Sequence, residues 1–301
     1  MFFVIQKEDR NNYNVVEFAI LTELLQMYKG SHEYITMKIS DLYAEEDDDF
    51  DITPKLKKAD DFDPKLATAI AIGEIRFVEK FLKIFHGIEH EVAIEIPPCL
   101  RTDKFLKRKY SIVPAWEIPR SGTYFLKDAT KQKTLSYKGE LSVFLDDEMF
   151  EPKISEFDAS VRIDYEHLYQ VSEVVQVLAE YRVYVLGGKV ETISHFAGNP
   201  YKLPDVDLIK EAVEIYGKEE DCPGSFSLDI MVTPKGTAIT EVHNFMCLGL
   251  YNVIWNEDLL YAYRDGWEYV LNHNTKQTEF SNYQLIDNQN TSKSLKQGER
   301  E

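Results

Sequence analysis

Two short turns constrain this chain most. Gly187-Gly188 separates Tyr181–Leu186 from Lys189–Phe196, and Thr233-Pro234-Lys235-Gly236 separates Ser227–Val232 from Thr237–Val242. The flanking runs are rich in β-branched and aromatic residues, and connections this tight join only antiparallel neighbours, so four strands are committed to two hairpins. Between the hairpins, Asp205–Tyr216 places Val206, Ile209, Ala212, Val213 and Tyr216 on one helical face. Strands followed by a covering helix define an α+β layer.

The rest of the chain adds to this unit. Phe2–Gln6, the helical spacing of Val15–Tyr28 closed by Gly30, and the alternation of Ile35, Met37 and Ile39 predict strand, helix and strand, the start of a small α/β layer. Lys65–Gly73 is expected to be a buried strand and Glu74–Phe85 an amphipathic helix, which completes an N-terminal domain over 1–95. From there Pro97, Pro98, Pro114 and Pro119 interrupt any continuous helix, and strands are expected at Thr123–Lys127, Ser136–Leu145 and Gln170–Gln176. A last helix over Leu259–Leu271 closes a second domain, 96–271. The tail 272–301 turns to Asn, Gln, Ser, Thr and Lys and is expected to be flexible.

Charge excludes some functions. The formal charge of −18 is the wrong sign for a protein that neutralises the phosphates of a duplex, so no nucleic-acid duplex is expected as partner. No apolar run approaches the ~20 residues of a membrane span, and three widely spaced cysteines form no CxxC pair. The expectation is a cytoplasmic protein with reduced thiols. Ten acidic residues between Asp41 and Asp63 are expected to form a solvated loop; the glycine and terminal glutamate of an EF-hand loop are missing.

Chemistry concentrates in the second hairpin. Asp229 and Glu241 lie across its turn, close enough to occupy neighbouring positions on one sheet face. Opposed carboxylates repel unless something cationic lies between them, and oxygen ligands of this kind suit Mg²⁺ that shares its shell with nucleotide phosphates; acids on a solvated sheet face are the alternative. Lys127, Lys133 and Arg182 are candidate anion anchors, against a structural ion pair of Arg182 with Glu180 or Glu173.

The segments IAIGEIRFVEKFL, PPCL, YFLKDATKQK, YQVSEVVQVLAEYRVYVLGG, HFAGNP, FSLDIMV and EVHNFMCLGLY, in that order, resemble the arginine-and-lysine clade of the ATP-grasp superfamily, found in bacteria and their phages, from about residue 67 to about residue 268. The resemblance implies two α+β subdomains that clasp Mg-ATP, preceded by a pre-ATP-grasp α/β domain. It implies that Lys127 and Lys133 hold phosphates, that the hinge Ser172, Glu173, Val174 and Val175 reads adenine, and that Arg182 faces the γ-phosphate. Asp229 and Glu241 match the magnesium carboxylates. Where the family has Glu-x-Asn, this chain has Glu241-Val242-His243-Asn244, so either His243 or Asn244 completes the cluster. The loop after Lys127 lacks the glycines of a phosphate cradle, and Lys131, Lys133 and Lys138 are the charges available there. The implied activity is ATP-dependent ligation of a carboxylate and an amine through an acyl phosphate, on a small-molecule, amino-acid or peptide substrate. A kinase on the same scaffold and a non-catalytic nucleotide-binding module are the alternatives.

Overall fold

The computed structural model describes residues 1–7, 15–44, 55–89, 95–130, 136–146, 149–152, 163–164, 166–251 and 255–273. Lys133, residues 45–54 of the acidic loop and nearly all of the polar tail fall outside these residues.

Near the N-terminus, strand β1 (Phe2–Gln6) is almost wholly apolar and is buried on both sides, which suits the centre of a parallel sheet. Helix α1 (Val15–Met27) crosses over to β2 (Glu33–Met37), which runs parallel to β1. Strand β3 (Ile70–Ile72) pairs parallel on the other side, giving the order β2-β1-β3. The strand expected over Lys65–Gly73 is thus only three residues long. Pro64 starts a 3₁₀ turn over Pro64–Thr68, and the Asp63 carboxylate caps it by accepting from the Lys65 amide; that local bond outweighs the apolar run. Helix α2 (Ile75–His86) buries Phe77, Val78, Phe81 and Leu82 along one stripe and ends at Gly87, whose left-handed φ of 69° closes it.

Two antiparallel sheets follow. Helix α3 (Asp103–Leu106) leads into β4 (Tyr110–Pro114), then β5 (Ser121–Asp128), β6 (Ser136–Asp146), β7 (Met149–Pro152) and β8 (Leu168–Glu173). These strands form a five-stranded sheet in the order β4-β8-β5-β6-β7. Strand β8 stops at Glu173, short of the expected Gln176, and residues 174–178 cross to the second sheet. That sheet holds the expected hairpins, β9 (Ala179–Leu186) with β10 (Lys189–Gly198) and β11 (Phe226–Thr233) with β12 (Gly236–His243), in the order β10-β9-β11-β12. Helix α4 (Val206–Tyr216), capped by the Asp205 side chain, packs Leu208, Ile209, Ala212, Val213 and Tyr216 onto one face of it.

The last helix, α5 (257–273), belongs to a different core. Leu259, Leu260, Tyr263, Trp267 and Val270 join β1, β3 and α2 in one apolar cluster, with Trp267 edge-on to Phe81 at 6.0 Å between centroids. The same cluster takes in Tyr184, Phe245 and Met246, so the N-terminal layer is fastened to the far side of the four-stranded sheet. Among the described residues no helix is long and apolar enough to cross a membrane. Cys99, Cys222 and Cys247 are all free thiols.

Candidate active site

The site is assembled by strand register. Arg182 on β9 stands opposite Ser194 on β10 and Asp229 on β11, and Asp229 stands opposite Glu241 on β12. Residues paired across antiparallel strands point to one face, so the four form a single row across the sheet. Regular pairing from the Thr233–Gly236 turn would set Asp229 against Thr240. A β-bulge between Asp229 and Ile230 leaves Thr240 as an extra residue and brings Glu241 into the row. Two residues further along β12, His243 points to the same side.

The row is held by charge-assisted hydrogen bonds. Arg182 donates through Nε to Asp229 Oδ1 at 2.7 Å and through Nη2 to Oδ2 at 2.8 Å, a planar fork on a carboxylate. Neither Glu180 nor Glu173 is its partner. Its Nη1 donates to the carbonyl of Gly249 at 2.9 Å, and its guanidinium lies 5.1 Å from the Tyr251 ring, which stacks on Phe196. From the other sheet, Lys127 at the end of β5 donates to Glu241 Oε1 at 2.8 Å. Nε2 of His243 lies 3.1 Å from Glu241 and 3.5 Å from Asp229. Ligand atoms of Asp229, Glu241 and His243 all fall within 4.8 Å of one another, the only such trio among the described residues.

Electrostatics keep the two acids ionised. Burial alone would raise the carboxyl pKa of Asp229, but hydrogen bonds from Arg182 and His243 override it and hold Asp229 below the ordinary carboxylate range. Glu241 is likewise held low, burial again being outweighed by His243 and Lys127. Burial would lower the His243 imidazole, yet the two carboxylates raise it. Two ionised carboxylates on one face, their oxygens converging, fit a small hard cation such as Mg²⁺.

Asn244 does not join this cluster. Its Oδ1 accepts from the Met246 amide at 3.1 Å and shapes the turn after β12, where Phe245 and Cys247 take positive φ values of 73° and 54°. This strained turn is clamped by α5: a Cβ on Gly266 would collide with the Asn244 carbonyl, so only glycine fits.

The expected hinge lines a cavity of about 170 Å³ between the two sheets. Phe125, Ser172, Glu173, Val174 and Val175 line it from the five-stranded sheet and the connection after it, and Met231 and Thr240 from the four-stranded sheet. Ser172 and Glu173 end β8, and the Glu173 amide is spent on the Lys109 carbonyl. Residues 174–177 make no backbone hydrogen bond to another described residue, so their amides and carbonyls remain available to a ligand. Gly198, with φ of 78°, lets β10 pass against Leu178 at the end of this connection.

Sequence reasoning missed two parts. Arg108 is buried beside the hinge and donates to the carbonyls of Leu106 and Ile239; in the run Lys107-Arg108-Lys109 nothing separates it from its solvated neighbours. Asp128, directly after Lys127, accepts from the Thr130 amide, and its other oxygen lies 2.7 Å from His167 Nδ1, so it ties β5 to the start of β8. The only sign in the sequence was an acid directly after Lys127 at the end of an apolar strand.

Two facing antiparallel sheets, a lysine reaching from one to a carboxylate row on the other, and a hinge cavity at their joint define a nucleotide clamp of the ATP-grasp class. A family model for the ATP-grasp domain, family 2 of the arginine-and-lysine clade, matches residues 105–258, just over half of the chain, and the chain belongs to this family. No curated protein matches it by sequence. Among solved structures it is similar to D-alanine–D-alanine ligase from Bacillus anthracis complexed with ATP, at 12% identity and TM-score 0.44, over 90% of this chain and 96% of that one. It is also similar to the D-cycloserine synthetase DcsG, at 8% identity and TM-score 0.46, over 91% and 99% of the two chains. A third is the macrocyclase MdnC bound with precursor peptide MdnA from Microcystis aeruginosa MRC, at 14% identity and TM-score 0.39, over 90% and 100%.

Proposed function

We propose that the protein is an ATP-dependent ligase that joins a carboxylate to an amine by way of an acyl phosphate. The observation that carries the reading is the contact between Lys127 and Glu241, which sets the cation of one sheet against the carboxylate row of the other. In this reading the adenine lies in the hinge cavity against residues 174–177, and Lys127, joined by Lys133, neutralises the phosphates. Arg182, fixed by Asp229 and Gly249, faces the transferring phosphoryl group. Asp229 and Glu241, with His243 beside them, would hold Mg²⁺, and Asn244 serves the turn instead. Bound there, the ion neutralises charge on the phosphate oxygens.

A substrate carboxylate oxygen attacks the γ-phosphorus, the bond to the β,γ-bridging oxygen breaks, and ADP leaves with that electron pair. The amine nitrogen then attacks the acyl carbon, inorganic phosphate departs, and the amine proton passes to solvent. The protein forms no covalent bond; it contributes orientation and fixed charge.

The test is to incubate the protein with Mg-ATP and a pool of amino acids, peptides and small acids. ADP together with a product one water lighter than the summed substrates supports ligation. A phosphorylated product would replace this reading by a kinase, and binding of ATP without turnover by a nucleotide-binding module.

A further inference from the structure

Each carboxylate oxygen of the charged row already faces a nitrogen of a basic side chain. On Asp229, Oδ1 accepts from Arg182 Nε and Oδ2 from Arg182 Nη2. On Glu241, Oε1 accepts from Lys127 Nζ at 2.8 Å, and Oε2 lies 3.1 Å from His243 Nε2. The two acids thus meet the formal charges of Arg182 and Lys127 before the imidazole is counted, and the row presents no net negative charge to a free divalent cation. An ion held by Glu241 Oε1 would also stand close beside the Lys127 ammonium, where like charges repel. At that oxygen, holding Lys127 and holding a metal exclude each other.

The partners differ in how firmly they are held. Arg182 is buried, forks onto Asp229, donates to Gly249 O, and has the rings of Phe196 and Tyr251 at 5.9 and 5.1 Å from its guanidinium. His243 sits on the same strand as Glu241 and keeps its place beside it. Lys127 comes from the other sheet, its side chain is partly exposed, and Glu241 is the only partner of its ammonium among the described residues. A lysine is a point charge on a flexible stem, able to pass from one anion to another within its reach. Of the groups that neutralise the row, Lys127 is the one free to leave.

We propose that Lys127 is an exchangeable counter-ion of Glu241 that couples metal binding to nucleotide binding: it moves from Oε1 to the nucleotide phosphates, and the move frees Glu241 to hold the ion. The inference rests on the reading of Asp229 and Glu241 as metal carboxylates and of Lys127 as a phosphate ligand; it does not need ligation. Its signature is a pair of effects of opposite sign from one residue. Loss of the ammonium weakens the nucleotide, which loses a contact, and strengthens the free ion, which gains an oxygen.

The experiment titrates the full chain, freed of metal by a chelator, with Mn²⁺ alone, the free ion being read by electron paramagnetic resonance. Lys127→Met is expected to bind Mn²⁺ about tenfold more tightly than the unaltered protein, the worth of one charge-assisted hydrogen bond. The same variant should bind a non-hydrolysable ATP analogue more weakly at saturating Mn²⁺. Lys127→Arg keeps the cation and should leave Mn²⁺ binding weak. Lys235→Met removes a cation outside the row, paired with Glu173, and should leave Mn²⁺ binding unchanged, which separates the contact from the general field. In Glu241→Gln the further change Lys127→Met should bring no gain, because the freed oxygen is gone. The proposal is overturned if Lys127→Met binds Mn²⁺ no more tightly than the unaltered protein, or if it gains equally in the Glu241→Gln background. A parallel assay of ADP release separates the two readings. Tighter Mn²⁺ binding in Lys127→Met without turnover on any substrate removes the ligase and leaves the exchange, whereas ligation with Mn²⁺ affinity indifferent to Lys127 keeps the ligase and removes the exchange.

Discussion

The two sheets that face each other across the proposed nucleotide site are built differently. In the four-stranded sheet the charged row lies over a deep core: Leu228, Ile230, Val183 and Val185 are buried against α4, and the row itself is cross-linked by the Arg182–Asp229 fork. In the five-stranded sheet the core among the described residues is small, formed by Ala115, Ile118, Leu126, Ile163, Tyr169 and Val171. Among the described residues its contribution to the row is Lys127, near a strand end, reaching across to Glu241. The first sheet holds fixed charges in place by packing; the second delivers a single cation from a lighter element. Preorganised charge needs a rigid support, and closure over a ligand needs a part that moves as a unit.

Breaking the fork is the severest test of this difference. Asp229→Asn leaves Arg182 buried without its counter-charge; the expected loss is at least about 100-fold in ADP release and about 3–5 kcal/mol in stability by chemical denaturation. Retained activity would remove Asp229 from the site.

Leucine deletions compare the two cores. Leu228 and Leu126 are both fully buried, and each change to Ala is expected to cost about 2–5 kcal/mol at its site. Leu228→Ala should lower the unfolding midpoint of the whole chain. Leu126→Ala should instead speed amide exchange in β5 and β8 while leaving β9 and β11 protected, and uniform acceleration would show that the sheets unfold as one unit.

A smaller effect is expected from Lys127→Met. Affinity for Mg-ATP should fall about tenfold for the loss of one charge-assisted contact, read by calorimetric titration. Stability should change by about 1 kcal/mol or less, because both members of the Lys127–Glu241 pair are partly exposed.

The smallest expected effect lies outside both sheets and serves as their control. Burial holds the imidazole of His86, edge-on to Trp267 between α2 and α5, below its ordinary pKa. The unfolded chain then takes up the proton first, so stability is full above about pH 6.5 and declines as pH falls toward the lower folded value. Thermal unfolding between pH 7.5 and 5 should show this slope, and His86→Leu should flatten it.

The hairpins, α4 and the parallel start of the chain were legible because local periodicity and turn chemistry decide them. Asp229, Glu241, Lys127 and Arg182 were legible as charges in otherwise apolar strands, where a charge needs a partner. The partners were not. The ion pair weighed as the alternative for Arg182 was with Glu180 or Glu173; instead Arg182 forks onto Asp229, 47 positions away, because strand pairing and not chain distance sets what it touches. Asn244 and His243 could not be told apart in the sequence, since the choice depends on where β12 ends: His243 is its last residue and keeps the parity of Glu241, whereas Asn244 already belongs to the turn.

What the sequence alone determined is the two hairpins, the longer helices and the residue types of the charged row, since hydrophobic period and turn residues act within a few positions; the short elements α3, β4 and β7 were not among its expectations. Tertiary structure decided the pairing. The extra residue at Thr240 rotates Glu241 into line with Asp229, the turn after β12 swings Asn244 away, and α5 leaves its hairpin neighbours to complete the core of β1 and α2. Each of these is settled by packing between segments far apart in the chain, which no local pattern encodes.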